Sequence, residues 1–509
     1  MKQVLKRVVV IALVMSMLLL NACGTKQSDD SNKKGGDSEK TLYVAATNKG
    51  YGIKWLEAML EEFCNEQGWD YVIYPVYEDS LLKQKIEAGI EACNYDLVFS
   101  GTPGIAADEF LLDISEVMEY TIESGTREGK TVAEVIDPNV GAIMGSKDAG
   151  YYKLPWTGGI NGLIYNNTAI EKVLGKNWQD KYPCRTTNEL LDFCKALKDK
   201  GLAPFVHSAN TNYYSFLYEA WFAQYNGTEG LSKYFNGLFK NLVGKDVVGY
   251  EVARNEGVLE AAKVMEAIFS KGYSHEKSNS IDWEVTQTLF MSGEAAMFSN
   301  GDWNNLEMSK QFPDNDIRFM KLPMISGLGT KLGITDEVLA QVVDYVDEKG
   351  EKPNVSEEVV VAVADARTWA ASYADQHTVS IPKYSVHADM AVEFLKYMIS
   401  DAGQHQFSVA TDGLTMCYGY DLSKDSEYNE FSEFSKTRWE IAKDVNLYTS
   451  LRAEKYGHAG LTPFKARGVA PLEVLLSRND DRYTAQEVYQ YDIDTIKSNW
   501  NVIQNNAGQ

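Results

Sequence analysis

The sequence has 509 residues, 44% of them hydrophobic, which is enough chain for more than one folded lobe. It carries 49 basic and 72 acidic residues, a formal net charge of −23, which argues against nucleic acids and anionic lipids as partners. Six cysteines occur without any CxxC pair. This spacing does not predict a disulfide framework, although a single pair such as Cys184–Cys194 stays open.

The first 40 residues predict export followed by attachment to a membrane. Three basic residues precede an apolar run over 8–20, which is too short and wrongly flanked for a spanning helix. The run ends in LNACG, which resembles the bacterial lipobox and places Cys23 at the lipidated position. Residues 1–22 are therefore expected to be a lipoprotein signal peptide, and 23–40 a flexible tether anchored by acyl chains such as palmitate on Cys23. A plain secretory signal with an incidental cysteine is the alternative.

The body opens with strands and helices in alternation. LYVAA (42–46), YVIYPVY (71–77) and YDLVF (95–99) predict strands, and the segments over 54–67 and 81–93 have the apolar spacing of amphipathic helices. This order predicts a parallel α/β sheet, whose ligands bind beyond the carboxyl ends of the strands. Those ends are TNKG (47–50) and SGT (100–102).

A second α/β region begins near residue 151. Strand and helix follow one another over 153–175, and a helix, a glycine stop and a strand follow over 187–208. Further helices are predicted over 256–272, after 282, over 388–407 and at the chain end. The acidic segment over 331–356 is expected to hold one amphipathic helix, TDEVLAQVVDYV, inside an inserted surface segment.

Four stretches in this order resemble the extracytoplasmic solute-binding proteins of ABC importers, the large family that includes maltose-binding protein. They are LPWTGGINGLIYNNTAIEK (154–172), FMSGEAAMFSNGDWNN (290–305), TVSIPKYSVHADMAVEFLKYMIS (378–400) and YTAQEVYQYDIDTIKSNW (483–500). The second stretch resembles a family motif in which a glycine and a tryptophan follow a short strand. Extra residues around 331–367 and 421–458 have no clear match in the family, so their role is open.

The resemblance implies an α/β fold of the periplasmic-binding-protein type II class, with two lobes joined by hinge crossings around a cleft. The first lobe is expected to take 41–150 and 322–410, and the second 151–321 and 411–509. The implied function is capture of a mono- or oligosaccharide by hinged closure and its delivery to an ABC permease. The expected protein is a monomer without cofactor or catalytic activity, anchored through Cys23 to the outer face of a bacterial cell membrane.

A sugar site should combine flat aromatic rings with hydrogen-bonding groups, since a sugar presents both axial hydrogens and hydroxyls. Trp303 follows a predicted strand, and the resemblance implies a cleft-lining tryptophan at this position. Asp302 is expected to cap the following helix or to accept sugar hydroxyls. The alternative for Trp303 is packing in the core at a turn.

Further candidates come from the second and first predicted lobes. Tyr213 and Tyr214, with Asn212 beside them, are placed like an aromatic cluster that stacks on sugar in maltose-binding protein, or they are surface tyrosines. Trp156 lies where the chain should enter the second lobe. In the first lobe the candidates are Asn48, Lys49, Ser100 and Thr102, for which ordinary capping of βα loops is the alternative.

Other function classes lack their sequence signals. No GxSxG, HExxH or P-loop pattern occurs, and the six histidines are scattered without the spacing of zinc ligands, which favours surface or packing roles for them. A lipid-anchored glycosidase stays open as an alternative because carboxylates are plentiful. A receptor for a non-sugar solute, such as a peptide or a metal chelate, is the other alternative, and a glycan-binding adhesin is a third class.

Overall fold

The computed structural model describes residues 39–102, 104–208, 211, 213–243, 254–449 and 484–507. From Leu42 onward the chain forms one compact unit. Within the described ranges, no helix is both long and apolar enough to cross a membrane. Cys23 and residues 23–38 of the tether predicted over 23–40 lie outside these ranges, as does Asn212.

The first sheet contains the strands predicted at the start of the body. Its order is β2–β1–β3–β12–β6, formed by β1 (Thr41–Thr47), β2 (Asp70–Val76), β3 (Leu97–Phe99), β6 (Leu154–Pro155) and β12 (Thr378–Ser380). Strands β1 and β3 are parallel, as predicted, with Val44 opposite Leu97. The sheet as a whole is mixed, because β12 arrives from far along the chain and pairs antiparallel with both β3 and β6. A small hairpin, β4 (Gly145–Ser146) and β5 (Gly150–Tyr151), lies outside it.

The second sheet has the order β13–β11–β7–β9–β8, and β10 also pairs with β7. Its strands are β7 (Ile160–Asn166), β8 (Ala203–Phe205), β9 (Ala295–Gly301), β10 (Ile317–Met320), β11 (Trp369–Ser372) and β13 (Asn446–Thr449). Strand β8 is parallel to β9, and β7 is antiparallel to β9, β10 and β11. The carboxyl ends of β8 and β9 therefore meet at one edge of this sheet.

Helices cover both sheets. In the first half of the chain they are α1 (Lys54–Gln67), α2 (Asp79–Ala88), α3 (Ala107–Phe110), α4 (Ser115–Glu119), α5 (Val132–Val135), α6 (Pro138–Met144), α7 (Asn167–Leu174), α8 (Trp178–Lys181), α9 (Thr187–Asp199) and α10 (Ser215–Val243). In the second half they are α11 (Glu256–Ser270), α12 (Trp283–Met291), α13 (Asn304–Met308), α14 (Ser326–Lys331), α15 (Asp336–Val346), α16 (Glu357–Arg367), α17 (Ala388–Ile399), α18 (Asp401–Ala410), α19 (Glu433–Ala442) and α20 (Ala485–Ala507).

Most of the predicted helices are confirmed, and one segment that was predicted as a single helix forms two. The amphipathic segment TDEVLAQVVDYV forms α15, as expected. The single helix predicted over 388–407 is instead α17 and α18, separated at Ser400. Ser400 has extended backbone geometry and its hydroxyl accepts a hydrogen bond from the Gly403 amide, so it caps a new helix. Apolar periodicity continues across this break, which is why the pattern alone conceals it.

The two sheets are linked where the chain passes from one to the other. It leaves β6 of the first sheet at Pro155 and enters β7 of the second at Ile160, it returns between β11 and β12, and it passes to the second sheet again between β12 and β13. The first two passages, which we call the crossings, lie side by side, since the Trp156 amide donates to the His377 carbonyl and the Tyr373 amide to the Gly159 carbonyl. Helices α14 to α16, which the sequence assigned to the first lobe, share a hydrophobic cluster with β7 of the second sheet. The residue bounds of the two lobes stay a prediction.

Gly159 allows the two crossings to lie close to each other. Its φ is +54°, and a Cβ placed on it would lie 3.0 Å from the Ala374 amide nitrogen. We expect Gly159→Ala to lower the free energy of unfolding by about 1–3 kcal/mol, since both the left-handed conformation and the contact penalise a side chain. Urea unfolding followed by circular dichroism measures this change.

Gly201→Ala is the matched control for Gly159. Gly201 has φ +81°, but a Cβ built there meets no described atom within 4 Å. The control should therefore show only the conformational cost, about 1 kcal/mol. Equal destabilisation by the two substitutions would contradict close approach of the crossings.

Candidate functional site

Aromatic side chains gather where the two crossings pass the ends of β1 and β9. We call this group the aromatic cluster; its members are Tyr51, Trp156, Tyr213, Trp303, Tyr373 and His377. Tyr51 follows β1, Trp303 follows β9, and Trp156 and Tyr373 belong to the crossings. The cluster thus draws its rings from both sheets and from the segments that join them.

Trp303 lies near the centre of this cluster. It is the residue before α13, with its indole directly over Gly301 and its Cγ 3.5 Å from the position that a Gly50 Cβ would take. Its ring centroid is 5.9 Å from Tyr51 and 6.0 Å from Tyr213, both at edge-on angles, and 6.4 Å from Tyr373 at an interplanar angle of 13°. Only 7% of Trp303 is exposed. Gly301 is needed here because a Cβ at that position would clash with the indole, whereas at Gly50 a side chain is disfavoured by the left-handed φ of +51°.

Asp302 does not cap α13; its carboxylate is committed to a buried network. Arg438 of α19 donates to it from Nε at 3.1 Å and pairs with it through Nη2 at 3.0 Å. The Tyr51 hydroxyl donates to the same carboxylate, and the Ile160 amide lies 3.3 Å from it. Asp302 and Arg438 are buried, and the charge pair is therefore compensated inside the protein. This carboxylate joins a loop of the first sheet to a helix beside the second.

Trp156 lies on the first-sheet side of the cluster. Its ring stacks on Trp55 of α1 at a centroid distance of 4.5 Å and is edge-on to Tyr51 and His377 at 5.2 and 5.3 Å. Its indole Nε1 is buried and has no hydrogen-bond partner among the described residues. A buried donor without a partner is costly, so this nitrogen is available to a ligand.

The two candidate tyrosines occupy different surroundings. Tyr213 is partly buried, stacks on Phe216 at 5.3 Å and meets Trp303 edge-on. Tyr214 is buried in the core of the second sheet, and its hydroxyl donates to the Val206 carbonyl at 3.0 Å. The structure therefore brings Tyr213 to the aromatic cluster and places Tyr214 behind it.

Two of the first-sheet candidates, Lys49 and Ser100, lie beside Asp79 at the start of α2. Ser100 Oγ donates to its carboxylate at 2.6 Å, and Lys49 Nζ lies 4.0 Å from it. Asn48 Nδ2 is 3.4 Å from the Tyr77 hydroxyl. Thr102 has φ +37° and a buried Oγ1 without a partner in the described ranges. We call Asn48, Lys49, Ser100 and Thr102 the polar rim. Ser100 connects the rim to the cluster, because its carbonyl accepts a hydrogen bond from the hydroxyl of Thr378, the residue after His377.

The carboxyl group of Glu307, on α13 beside Trp303, has a raised pKa. Burial raises its pKa from 4.5 to about 7, and the Gln287 side chain donates to it at 2.7 Å. Because the folded protein holds this proton more tightly than the unfolded chain, wild-type stability should fall as the pH rises from about 4.5 to 7. We expect Glu307→Gln to match wild type below pH 4.5 and to be the more stable protein above pH 7. Thermal unfolding across this range is the measurement, and a constant difference between the two proteins would contradict it.

Several residues of the site were absent from the sequence prediction. Tyr51, Tyr373 and His377 carry no motif of their own, although Tyr51 follows the predicted end of the first strand by a few residues. Arg438 lies in a segment that had no clear family match. Among the described residues, no three or more His, Cys, Asp or Glu side chains are grouped to hold a metal ion.

Comparisons with known proteins agree on one family and one fold. A profile of the family described as "Bacterial extracellular solute-binding protein" matches residues 49–405. The chain is 24% identical over 394 residues to the diacetylchitobiose binding protein NgcE of Streptomyces coelicolor, covering 72% of this chain and 78% of that protein.

Two solved structures illustrate the fold. RafE from Streptococcus pneumoniae has a TM-score of 0.57 at 15% identity, covering 93% of this chain and all of that one. The maltotriose binding protein of Thermus thermophilus, bound with maltotriose, has a TM-score of 0.52 at 15% identity, covering 90% and 99%. These likenesses confirm the predicted fold class.

Proposed function

Because the chain belongs to the bacterial extracellular solute-binding protein family, we propose that it is a receptor that captures a carbohydrate and delivers it to an ABC permease. The observation that carries the sugar assignment is the aromatic cluster around Trp303. Flat rings suit the axial hydrogens of a sugar. The polar rim suits its hydroxyls, as does the Trp156 nitrogen, which has no partner among the residues that the structure describes.

The position of the cluster supports a mechanism of hinged closure. Its rings come from the ends of β1 and β9 and from both crossings, so a ligand held there touches parts of the chain carried by each sheet. Closure is driven by contacts that the ligand makes only when both sides meet it. In this proposal Trp303, Tyr213 and Trp156 contact the sugar, and Asn48, Lys49, Ser100 and Thr102 bind its hydroxyls.

Asp302 and Tyr214 have supporting roles in the proposal. Asp302 holds Tyr51 and Arg438, and so fixes the loop that carries Trp303. Tyr214 positions the backbone beside Tyr213 through its bond to Val206. Asn212 is retained as a polar neighbour from the sequence, and Cys23 is proposed to carry the lipid that anchors the receptor at the outer face of the membrane.

The names of the relatives give the first ligands to try, and RafE has also been solved in complex with raffinose. Calorimetric titration of the protein with diacetylchitobiose, raffinose and maltotriose should detect binding of at least one of them. A short peptide and a divalent cation serve as the comparison solutes. Binding of the peptide or cation with no binding of any sugar would overturn the carbohydrate assignment, and turnover of a sugar would overturn the receptor assignment.

A further inference from the structure

A small pocket lies at the carboxyl ends of the parallel strands β8 and β9, and Tyr213 is one of the residues that line it. Its walls include Tyr213, Tyr214, Trp283 and Phe298, and its polar atoms come from His207, Thr211, Gln287 and Asn300. The free space is about that of one water molecule. Ligands of α/β sheets enter beyond the carboxyl ends of strands, which is where this pocket lies.

The protonation of His207 is fixed by its surroundings. Its Nε2 is 3.1 Å from the Asn279 side-chain oxygen, which accepts, so Nε2 carries the proton. The ring is held edge-on by Tyr214 and Phe269, each at a centroid distance of 5.2 Å. Burial lowers the His207 pKa to about 4, so the imidazole is neutral at physiological pH. Its Nδ1 is therefore a hydrogen-bond acceptor.

That acceptor is unused in the described part of the chain. His207 is only 3% exposed, and its Nδ1 has no hydrogen-bond partner there; the Thr211 Oγ1, also in the pocket, has none either. A buried polar atom without a partner costs about 1–3 kcal/mol. Two of them facing one small pocket indicate that a group from outside the protein completes the hydrogen bonds.

We propose that this pocket is a specificity subsite that accepts one hydrogen-bond donor of the ligand, a hydroxyl or an amide N–H, through His207 Nδ1. The Thr211 hydroxyl then donates to or accepts from the same substituent. The inference rests on the proposed function, because Tyr213 both lines this pocket and contacts Trp303. Since Nδ1 can only accept, a ligand whose substituent lacks a donor leaves it unpaired and binds more weakly.

The subsite also limits the chemical class of the sugar. The space admits one small polar group and is too small for a second sugar ring. The pocket therefore binds a substituent of the sugar that the aromatic cluster holds. Both a hydroxyl and an acetamido group provide the required donor.

Two substitutions at the same position test the subsite. His207→Leu removes the acceptor and keeps apolar volume, whereas His207→Asn can place an amide oxygen near the position of Nδ1. Both proteins and wild type are titrated with diacetylchitobiose and with cellobiose, which differ in their acetamido groups, and with raffinose and maltotriose. We expect His207→Leu to weaken binding of the sugar that wild type binds by about 10–100-fold. His207→Asn should restore part of that affinity. Circular dichroism verifies that both variants are folded.

The outcomes separate this inference from the function on which it rests. If wild type binds no sugar, the proposed function fails and the subsite with it. If wild type binds a sugar and folded His207→Leu binds it equally well, only the subsite is overturned. If wild type binds both disaccharides, a loss confined to diacetylchitobiose identifies an amide N–H as the donor, and a loss with both identifies a hydroxyl.

Discussion

Replacing Trp303 with alanine should weaken sugar binding by about 10–100-fold, the largest loss of affinity that we expect from any residue of the aromatic cluster. Removing the indole takes away an aromatic surface whose burial against a ligand is worth about 1.5–3 kcal/mol. The measurement is calorimetric titration with the sugar of the tested panel that wild type binds most tightly. The titration is made below the melting temperature of the variant.

Stability must be separated from binding in this experiment. Trp303 is 7% exposed and packs between Tyr51, Tyr213 and Tyr373, so the alanine variant should also lose about 3–5 kcal/mol of unfolding free energy. Trp178→Ala is the matched control, because Trp178 is 3% exposed and stacks on Phe193 in the other hydrophobic cluster. The control should lose comparable stability and keep its affinity. A folded Trp303→Ala protein with wild-type affinity would show that Trp303 is a core residue only.

The importance of Trp303 was visible in the sequence, but its neighbours were not. A tryptophan among asparagines, glycine and aspartate after a predicted strand is an unusual local pattern, and local patterns are what a sequence displays. Tyr51 and Tyr373 reach Trp303 from positions about 250 and 70 residues away, and each by itself is an ordinary tyrosine in a loop. Their role depends on how the two crossings lie side by side, which no spacing within one segment encodes.

Asp302 illustrates a second limit of sequence reasoning. An aspartate directly before a helix predicts an N-terminal cap, and the local signal for that role is present. In the structure the carboxylate instead accepts hydrogen bonds from Arg438, 136 residues later, and from Tyr51, 251 residues earlier. A buried charge overrides a capping preference, because its desolvation must be compensated by an opposite charge and by hydrogen bonds. The unmatched segment over 421–458 contributes that charge.

Replacing Arg438 with methionine should lower the free energy of unfolding by about 3–5 kcal/mol, the largest loss of stability that we expect from a single charged residue. The substitution leaves the Asp302 carboxylate buried without its cation, which costs more than the ion pair contributes when intact. It also removes the bond from Nη1 to the Thr415 hydroxyl at 2.5 Å. Urea unfolding at neutral pH provides the measurement.

Two further variants determine whether the charge or the packing of Arg438 is responsible. Asp302→Asn combined with Arg438→Met removes both charges, so it should be more stable than Arg438→Met alone. The partly exposed pair Lys436–Glu433 on the same helix is the matched control, and Lys436→Met should change stability by less than about 1 kcal/mol. If the double variant is no more stable than Arg438→Met, the loss comes from packing and not from an uncompensated carboxylate.

The same carboxylate should couple stability to ligand binding through Tyr51. Tyr51 belongs to the loop after β1, whereas Arg438 belongs to α19, whose Thr437 hydroxyl accepts from the Phe319 amide of β10. Asp302 therefore holds a first-sheet loop against elements of the second sheet. Tyr51→Phe removes only the hydroxyl and retains the ring beside Trp303, so it should weaken sugar binding less than Trp303→Ala does. In a double-mutant cycle with Asp302→Asn, the effects of the two substitutions on affinity should be non-additive, because both break one hydrogen bond. Additive effects would mean that this bond does not contribute to holding the ligand.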